Sequence, residues 1–253
     1  MPPRAPTDPE IGRERAADDE RPEKNSCSRN PGERADPHDS FFVRSIRLLA
    51  AFGLGYLLGT VQSADVVSRF AAGGRVNLRE SGSRNPGAVN AGRVLGATAG
   101  RAVLVADVAK AYVACAGGRA IAGDLGAHGG GVAAVIGHCY PAWRGFDGGK
   151  GLATSFGQCL YTFPVAAPVD LGLALGVARI PGLRQPGLVS TAIASSGWLL
   201  MSLVWWRRRL PNSWGPTPTA ALLVANCATV SIVASRFVIA HRRGHPDELE
   251  LPS

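Results

Sequence analysis

The sequence predicts an all-α membrane protein, a polytopic bundle of about seven transmembrane helices with its N-terminus outside the cell. Beyond residue 43, apolar stretches alternate with short loops, and several reach the roughly 20 residues that a helix needs to cross a bilayer core. Basic residues are concentrated in the loops, since residues 41–253 carry 20 Lys/Arg but 9 Asp/Glu. With 18% charged residues overall, this pattern argues against both a soluble enzyme and a chain disordered throughout.

The N-terminal segment differs from the rest of the chain. Residues 1–40 hold 7 Lys/Arg and 10 Asp/Glu, a net charge of −3, and show no apolar periodicity. We therefore predict a disordered charged tail over residues 1–43, which lacks the apolar core of a signal peptide. A start codon assigned too far upstream is the alternative. The membrane domain is expected over residues 44–243, followed by a cytoplasmic C-terminal tail, residues 244–253.

The apolar segments predict the helices in order. Residues 152–177 are too long for one ordinary span and contain Pro164 and Pro168, so two short helices broken near the prolines are expected there. Six or seven helices fit the pattern, and seven is favoured. Many of the helical residues are Gly, Ala or Ser, which permits close helix packing in lipid. The other five segments are residues 46–70, 97–116, 126–140, 187–206 and 218–240.

The orientation follows from the basic loops. With seven helices, the loops after the first, third and fifth helices and the end of the chain share one side, which should be cytoplasmic. Arg207, Arg208 and Arg209 lie on the opposite side and count against this topology. The basic residues of the shared side are Arg69, Arg75, Arg79, Arg84, Arg93, Arg144, Lys150, Arg179, Arg184, Arg242 and Arg243.

Two loop motifs on the predicted cytoplasmic side carry chemistry. They are ESGSRNPGAVNAGR, residues 80–93, and GHCYPAWRGFDGGKG, residues 137–151. Glycines let backbone N–H groups approach an anion, Arg and Lys bind phosphate oxygens, and Ser and Asn donate hydrogen bonds without adding charge. The pattern predicts a site for a phosphorylated ligand at the membrane edge, with one lipidic substrate. Simple tight turns and the positive-inside rule are the structural alternative.

Several other classes are disfavoured. The GGKG stretch is not a Walker A motif, because Arg144 stands where its first Gly belongs and Gly151 where Ser or Thr belongs. The five cysteines are far apart, which argues against a zinc site or a disulfide framework. No His is followed five residues later by Asp, so an acyltransferase dyad of that kind is excluded. No cofactor, metal, nucleotide site or nucleic-acid partner is expected.

Together the two motifs resemble the bacterial membrane acyltransferase family that uses acyl phosphate and glycerol 3-phosphate. Residues 82–93 match the family's GSGNxGATNxxR with changes, and residues 137–154 match GHxxPxxxGFKGGKGxAT. Between them, Asp107 and Lys110 match an Asp-x-x-Lys in the second helix. The resemblance covers about residues 46–243, with the motifs in the family's order and spacing.

The resemblance implies acyl transfer to the sn-1 hydroxyl of glycerol 3-phosphate, giving lysophosphatidic acid for phospholipid synthesis. It also implies a bacterial plasma membrane location, an active site on the cytoplasmic face, membrane lipid around the protein and a partner enzyme that supplies acyl phosphate. No acyl-enzyme is needed, because phosphate is already a good leaving group. The residues expected in the site are Ser83, Arg93, Lys150 and His138 as catalytic groups and Asn85, Asn90, Gly148, Gly149, Gly151 and His241 as substrate-binding groups.

Two expected roles stay open at this point. His138 is either a base or an anchor for its loop, with the anchor favoured. Asp107 and Lys110 lie one helical turn apart and form either a packing pair or a membrane-buried pair at the site.

The chain departs from the family pattern at four positions. Arg84 replaces the glycine at the third position of the first motif, Val89 its Thr, and Asp147 the first Lys of GFKGGKG; Gly244 stands where an Asn follows His241. A paired change of Arg84 with Asp147 would keep the local charge constant. These departures motivate the alternative of a catalytically impaired homologue that acts as a membrane scaffold, or of an enzyme with another acceptor. A small transporter is disfavoured, because the chain shows no repeated halves.

Overall fold

The structure is a computed structural model and describes residues 37–250, within which the regular secondary structure is entirely helical. Residues 1–36 of the predicted disordered tail therefore lie outside the described residues. The expected boundary at residue 44 is wrong, because helix already begins at Pro37. The helices are α1 Pro37–Gly59, α2 Ser63–Ala72, α3 Ala88–Leu95, α4 Ala97–Cys139, a 3-10 turn Ala142–Arg144, α5 Leu152–Thr162, α6 Ala167–Ala178, α7 Pro186–Arg208 and α8 Ala220–Arg242.

The first predicted span, residues 46–70, is wrong as a single helix. The chain leaves α1 after Gly59 and starts α2 at Ser63. Tertiary contacts hold this break: the Val61 carbonyl accepts a hydrogen bond from Lys110 Nζ at 2.9 Å, and Gln62 Nε2 donates to the His138 carbonyl at 3.4 Å. Neither contact is local in sequence, so the apolar pattern could not indicate where the helix ends.

Helix α4 is a hairpin of two antiparallel helical segments. Ala122 and Gly123 have non-helical backbone angles and join segments that correspond to the second and third predicted helices. A Cβ on Gly118 would collide with the Gly126 carbonyl, which shows how closely the two segments approach. Glycine and alanine permit this backbone contact, as expected for helices that associate in lipid.

The remaining helices follow the predicted segments. The α5–α6 break spans residues 163–166 and includes Pro164, while Pro168 lies in the first turn of α6. Polar side chains link the apolar helices, with Asn226 donating to Ser202 at 2.7 Å and Thr229 donating to Gln158 at 2.8 Å. Three segments of the described chain are long and apolar enough to cross a membrane: Phe41–Ala72, Pro186–Arg208 and Ala220–Arg242.

The helix ends that carry the two motifs gather at one end of the bundle. There the loop after α4 contacts α8 through Asp147 and Arg236, and the segment after α8 reaches back to Lys150. At the other end, Arg119 and Asp124 form an ion pair at 3.1 Å beside the α4 turn. Among the described residues, one end of the bundle therefore carries the two motifs, and the other carries the α4 turn.

Candidate functional site

The first loop, residues 73–87, is held in shape by Asn90. The Asn90 Nδ2 atom donates to the carbonyls of Leu78 at 2.9 Å and Ser81 at 3.0 Å, and its Oδ1 accepts from the Ser83 N–H at 2.9 Å. Asn90 is fully buried, and both of its N–H donors are used. The structure therefore gives Asn90 an anchoring role in its own loop, in place of the expected contact with substrate.

Ser83 and Asn85 are the donors that this loop offers. The Ser83 side chain is buried, and among the described residues its Oγ atom has no hydrogen-bond partner. Asn85 Nδ2 donates to Glu248 Oε1 at 2.5 Å. Because a buried hydroxyl without a partner is costly, Ser83 has an unused hydrogen bond to offer a ligand. Arg93 lies in the last turn of α3, half-buried beside the same loop.

The second loop, residues 140–151, uses two of its glycine N–H groups structurally. Gly148 N donates to the Cys139 carbonyl at 3.1 Å and Gly149 N to the His138 carbonyl at 3.2 Å. These two N–H groups are therefore not available to cradle phosphate, contrary to expectation. Of the three glycines expected to bind phosphate, Gly151 is the one whose N–H makes no hydrogen bond to the described part of the chain.

Sterics also require glycine at these positions. A Cβ on Gly149 would collide with the His138 imidazole, and a Cβ on Gly148 would collide with the His138 carbonyl. The loop thus packs its backbone directly against the end of α4.

We expect Gly149→Ala to lower kcat/KM at this site by about 5- to 100-fold, because relief of the clash with His138 must displace the loop before Lys150, at about 1–3 kcal/mol. The measurement is steady-state kinetics in lipid. Gly129→Ala is the matched control, since a Cβ there meets nothing within 4 Å. Equal activity of both variants would contradict the steric role of Gly149.

Arg236 on α8 completes the second loop, and the sequence analysis missed it. Its guanidinium donates to the Gly148 carbonyl at 2.5 Å, to the Gly149 carbonyl at 3.2 Å and to Asp147 Oδ1 at 3.3 Å. The side chain is buried, with 7% of the residue exposed. A lone arginine inside an apolar helix is the signal that would have indicated it, because such a charge needs partners.

Asp147 is paired with arginines of α8 and the segment that follows. Arg243 contacts Asp147 Oδ1 at 2.7 Å, in addition to Arg236. Partial burial alone would raise the pKa of Asp147, but Arg243 and Arg236 outweigh that effect and hold the pKa below its ordinary value. Asp147 is therefore ionised at neutral pH. Among the described residues, the ion-pair partners of Asp147 are these two arginines, and Arg84 is not one of them.

Lys150 is the centre of the site. Its Nζ atom lies 3.1 Å from Glu248 Oε1 and 4.9 Å from the centre of the Phe237 ring. Lys150 and Glu248 are both largely buried, at 9% and 7% exposure. The Glu248 carboxylate therefore lies between Lys150 and Asn85, two groups expected to bind phosphate.

The segment that carries Glu248 is attached to the start of α7. Both carboxylate oxygens of Asp247 accept from backbone N–H groups there, from Gly187 at 3.2 Å and Leu188 at 3.1 Å. An acidic side chain at a helix N-terminus is a favourable arrangement. These contacts hold Glu248 over the site.

A buried cluster lies beneath the second loop. Lys110 Nζ contacts Asp107 Oδ1 at 2.8 Å and His138 Nδ1 at 2.8 Å, while Ser63 Oγ donates to Asp107 Oδ1 at 2.7 Å. An ammonium group only donates hydrogen bonds, so Nδ1 of His138 is the acceptor. The other ring nitrogen faces Gly149, so the His138 imidazole packs against the second loop. Asp107 and Lys110 form a buried pair directly below the site.

Two cavities meet at Asn85 and Lys150. The smaller one is a polar pocket of about 20 Å³, which holds little more than one water molecule. The larger is an apolar groove of about 440 Å³ between α4, α5, α6, α7 and α8. Further residues of the polar pocket are Arg84, Asp147, Gly148, Arg236, Arg243 and His245. The groove is lined by apolar side chains that include Val108, Phe156, Leu171, Trp198, Val233 and Phe237.

The structure thus brings together most of the expected residues. Asn85, Lys150, Gly148, Gly151 and His138 line the two cavities. Ser83 and Gly149 lie in the two loops, and Asn90 and Arg93 lie on α3, which follows the first loop. His241 has an exposed side chain in the last turn of α8 and lines neither cavity. Within residues 37–250, no group of three His, Cys, Asp or Glu side chains is arranged to hold a metal.

Comparison with known proteins gives a consistent answer. The sequence profile of the family described as glycerol-3-phosphate acyltransferase matches residues 49–245. A glycerol-3-phosphate acyltransferase of Anaeromyxobacter sp. (strain Fw109-5) is 38% identical over 190 residues, which are 72% of this chain and 88% of that protein. One of Ruegeria sp. (strain TM1040) is 37% identical over 194 residues, which are 76% and 87% of the two chains.

The fold is also similar to a solved structure. A crystal structure of PlsY (YgiH), described as an integral membrane glycerol 3-phosphate acyltransferase in its glycerol 3-phosphate form, has a TM-score of 0.59 at 24% identity. The match covers 79% of this chain and 94% of that one. The lysophosphatidic acid form has a TM-score of 0.58 at 22% identity. At these identities the likeness concerns the fold.

Proposed function

Because the chain belongs to the glycerol-3-phosphate acyltransferase family, we propose that it transfers an acyl group from acyl phosphate to the sn-1 hydroxyl of glycerol 3-phosphate. The product is lysophosphatidic acid, which serves phospholipid synthesis. One observation carries this proposal: a polar pocket rich in arginine and an apolar groove share Asn85 and Lys150. A hydrophilic phosphate and an acyl chain can thus meet at a single cation.

The chemistry requires little of the protein beyond binding and charge stabilisation. The sn-1 hydroxyl oxygen attacks the acyl carbonyl carbon, and the bond from that carbon to the phosphate oxygen breaks. Phosphate leaves with the electron pair, and a phosphate oxygen of the acceptor takes the hydroxyl proton. Lys150 stabilises the developing negative charge, while Ser83, Asn85 and Arg93 orient the phosphates. The Gly151 N–H, beside Lys150 at the start of α5, adds a backbone donor.

The remaining expected residues act indirectly in this proposal. Asn90, Gly148 and Gly149 maintain the loops through their hydrogen bonds and close contacts, and His138 anchors the second loop. Since Lys110 occupies Nδ1 of His138, we assign no proton transfer to that atom. His241 is on the exposed rim, where it would meet a phosphate only on entry.

We further propose that the site faces the cytoplasm in the bacterial plasma membrane. The two halves of α4 together with α1, α5, α6, α7 and α8 form seven membrane segments, which would leave the N-terminus outside. The motif-bearing end carries the larger share of the loop arginines, and basic loops prefer the cytoplasm. There the site would receive acyl phosphate from a partner enzyme, and the apolar groove would hold its chain.

The experiment that tests this proposal is an acyl-transfer assay on the full chain in lipid, with palmitoyl phosphate and labelled glycerol 3-phosphate. Labelled lysophosphatidic acid is the expected product. A folded preparation that makes none would overturn the proposal and favour a scaffold role or another acceptor. Replacing palmitoyl phosphate with palmitoyl coenzyme A in a parallel reaction tests the donor, and we expect no product from it.

A further prediction concerns Glu248, whose carboxylate contacts both Lys150 and Asn85. In this proposal, it occupies the position that a substrate phosphate would take. The polar pocket is too small for glycerol phosphate until side chains move apart. We therefore expect Glu248→Gln to lower KM for glycerol 3-phosphate by about 3- to 10-fold, because the competing charge is removed. Glu250→Gln, beyond the site, is the matched control. A raised KM would mean that Glu248 supports binding.

A further inference from the structure

Arg236 is a buried cation that no expected motif contains. It lies in the last third of α8, and its guanidinium reaches three acceptors in consecutive residues of the second loop: Asp147, Gly148 and Gly149. Its guanidinium carbon also lies 5.3 Å from the centre of the Tyr140 ring, which belongs to the same loop. All these contacts of the Arg236 side chain lead to the second loop, and its hydrogen bonds go to the three residues just before Lys150.

The peptides before Lys150 are held from both sides. On one side, the N–H groups of Gly148 and Gly149 donate to the carbonyls that end α4. On the other side, the carbonyls of the same two glycines accept from Arg236. Glycine has the widest backbone freedom of any residue, so an unrestrained pair of glycines would leave the next side chain poorly placed. The two sets of hydrogen bonds remove that freedom.

Arg236 needs a negative partner, and Asp147 supplies it. A buried guanidinium bonded only to carbonyls keeps an uncompensated charge, which is costly in a low-dielectric surrounding. Asp147 contacts Arg236 at 3.3 Å and ties it to Arg243. Arg79 holds the same residue from the first loop, with its Nε donating to the Asp147 carbonyl at 3.3 Å.

We propose that Arg236 is the positioning residue for Lys150, and that Asp147 stands in place of a lysine because it serves Arg236. The inference rests on the proposed function, in which Lys150 binds phosphate. Arg236 touches no substrate in this account; it acts through the two glycine peptides. The planar guanidinium suits the task, because its fork of N–H groups serves several acceptors at fixed angles.

The test is a double-mutant cycle between Arg236 and Lys150 on the full chain in lipid. We expect Arg236→Met to lower kcat/KM for glycerol 3-phosphate about tenfold in the wild-type background, but less than about twofold in a Lys150→Ala background. Once Lys150 has been replaced, nothing remains to be positioned. Arg242→Met, an exposed arginine on the same helix, is the matched control and should leave kcat/KM unchanged. A tenfold loss in both backgrounds would overturn the proposal.

Two further measurements keep the result decisive. Should Arg236→Met fail to fold, the same cycle is run with Arg236→Lys, which retains the charge opposite Asp147 but lacks the fork, and the same two outcomes apply. Should the wild type make no lysophosphatidic acid, the proposed function fails. The same four proteins are then compared by the rise in their melting temperature when inorganic phosphate is added. Arg236→Met should reduce this rise when Lys150 is present, but not when Lys150 has been replaced.

Discussion

Replacing Lys150 with Ala should abolish most acyl transfer, with kcat/KM lower by about 30-fold to several thousand-fold, or about 2–5 kcal/mol. Two effects add in this variant. The site loses the cation shared by the polar pocket and the apolar groove, and the buried Glu248 loses its partner at 3.1 Å. The measurement is the rate of labelled lysophosphatidic acid formation over a range of glycerol 3-phosphate concentrations.

Two companion variants separate these effects. Adding Glu248→Gln to Lys150→Ala removes the stranded carboxylate, so it should restore the melting temperature but not the activity. Arg242→Ala, an exposed cation near the same end of the bundle, should keep nearly full activity. A Lys150→Ala protein that retains more than about half of the wild-type rate would show that the shared cation is not central to the chemistry.

The second large effect concerns stability. Lys110→Met should destabilise the folded protein by about 3–5 kcal/mol, because it removes the lysine that pairs with the buried Asp107 carboxylate at 2.8 Å. The variant also removes the hydrogen bond to the Val61 carbonyl, which holds the break between α1 and α2. Thermal unfolding of the purified protein in detergent measures the loss as a lower melting temperature.

Replacing both members of the Asp107–Lys110 pair should destabilise the protein less than replacing Lys110 alone. In the double variant Asp107→Asn with Lys110→Met, no charge is stranded, and the introduced amide oxygen can still accept from Ser63. We therefore expect most of the lost stability to return. Arg101→Met, an exposed cation on the same helix, should leave the melting temperature within a degree or two. If the double variant were no more stable than Lys110→Met, the stranded charge would not be the cause.

The family and most of the helices could be predicted from the sequence because their signals are local. Apolar stretches separated by glycines, prolines and basic residues identify helices and turns, and the break near Pro164 follows from the lost N–H of proline. Lys150 could likewise be selected, since a lysine in a glycine-rich loop beside a membrane helix indicates an anion site.

Roles within the site could not be predicted in the same way. Ser83 and Asn90 lie in one motif, yet the Ser83 hydroxyl has no hydrogen-bond partner within residues 37–250, while Asn90 uses both of its N–H donors within the loop. Gly148, Gly149 and Gly151 are near neighbours, but two of their N–H groups are already bonded to the end of α4. Whether a donor is free depends on partners distant in sequence, and composition carries no information about them.

By itself, the sequence determined the family and the all-helical membrane class, and it selected the two loops proposed to carry the chemistry, because periodicity and motif spacing are properties of adjacent residues. Only the tertiary structure decided that Asp147 serves Arg236 and Arg243, that Glu248 covers Lys150, and that the first span ends at Gly59. The physical reason is the cost of a buried charge or of an unpaired backbone group. That cost is met by whichever partner the fold brings within about 3 Å, however far away it lies in the chain.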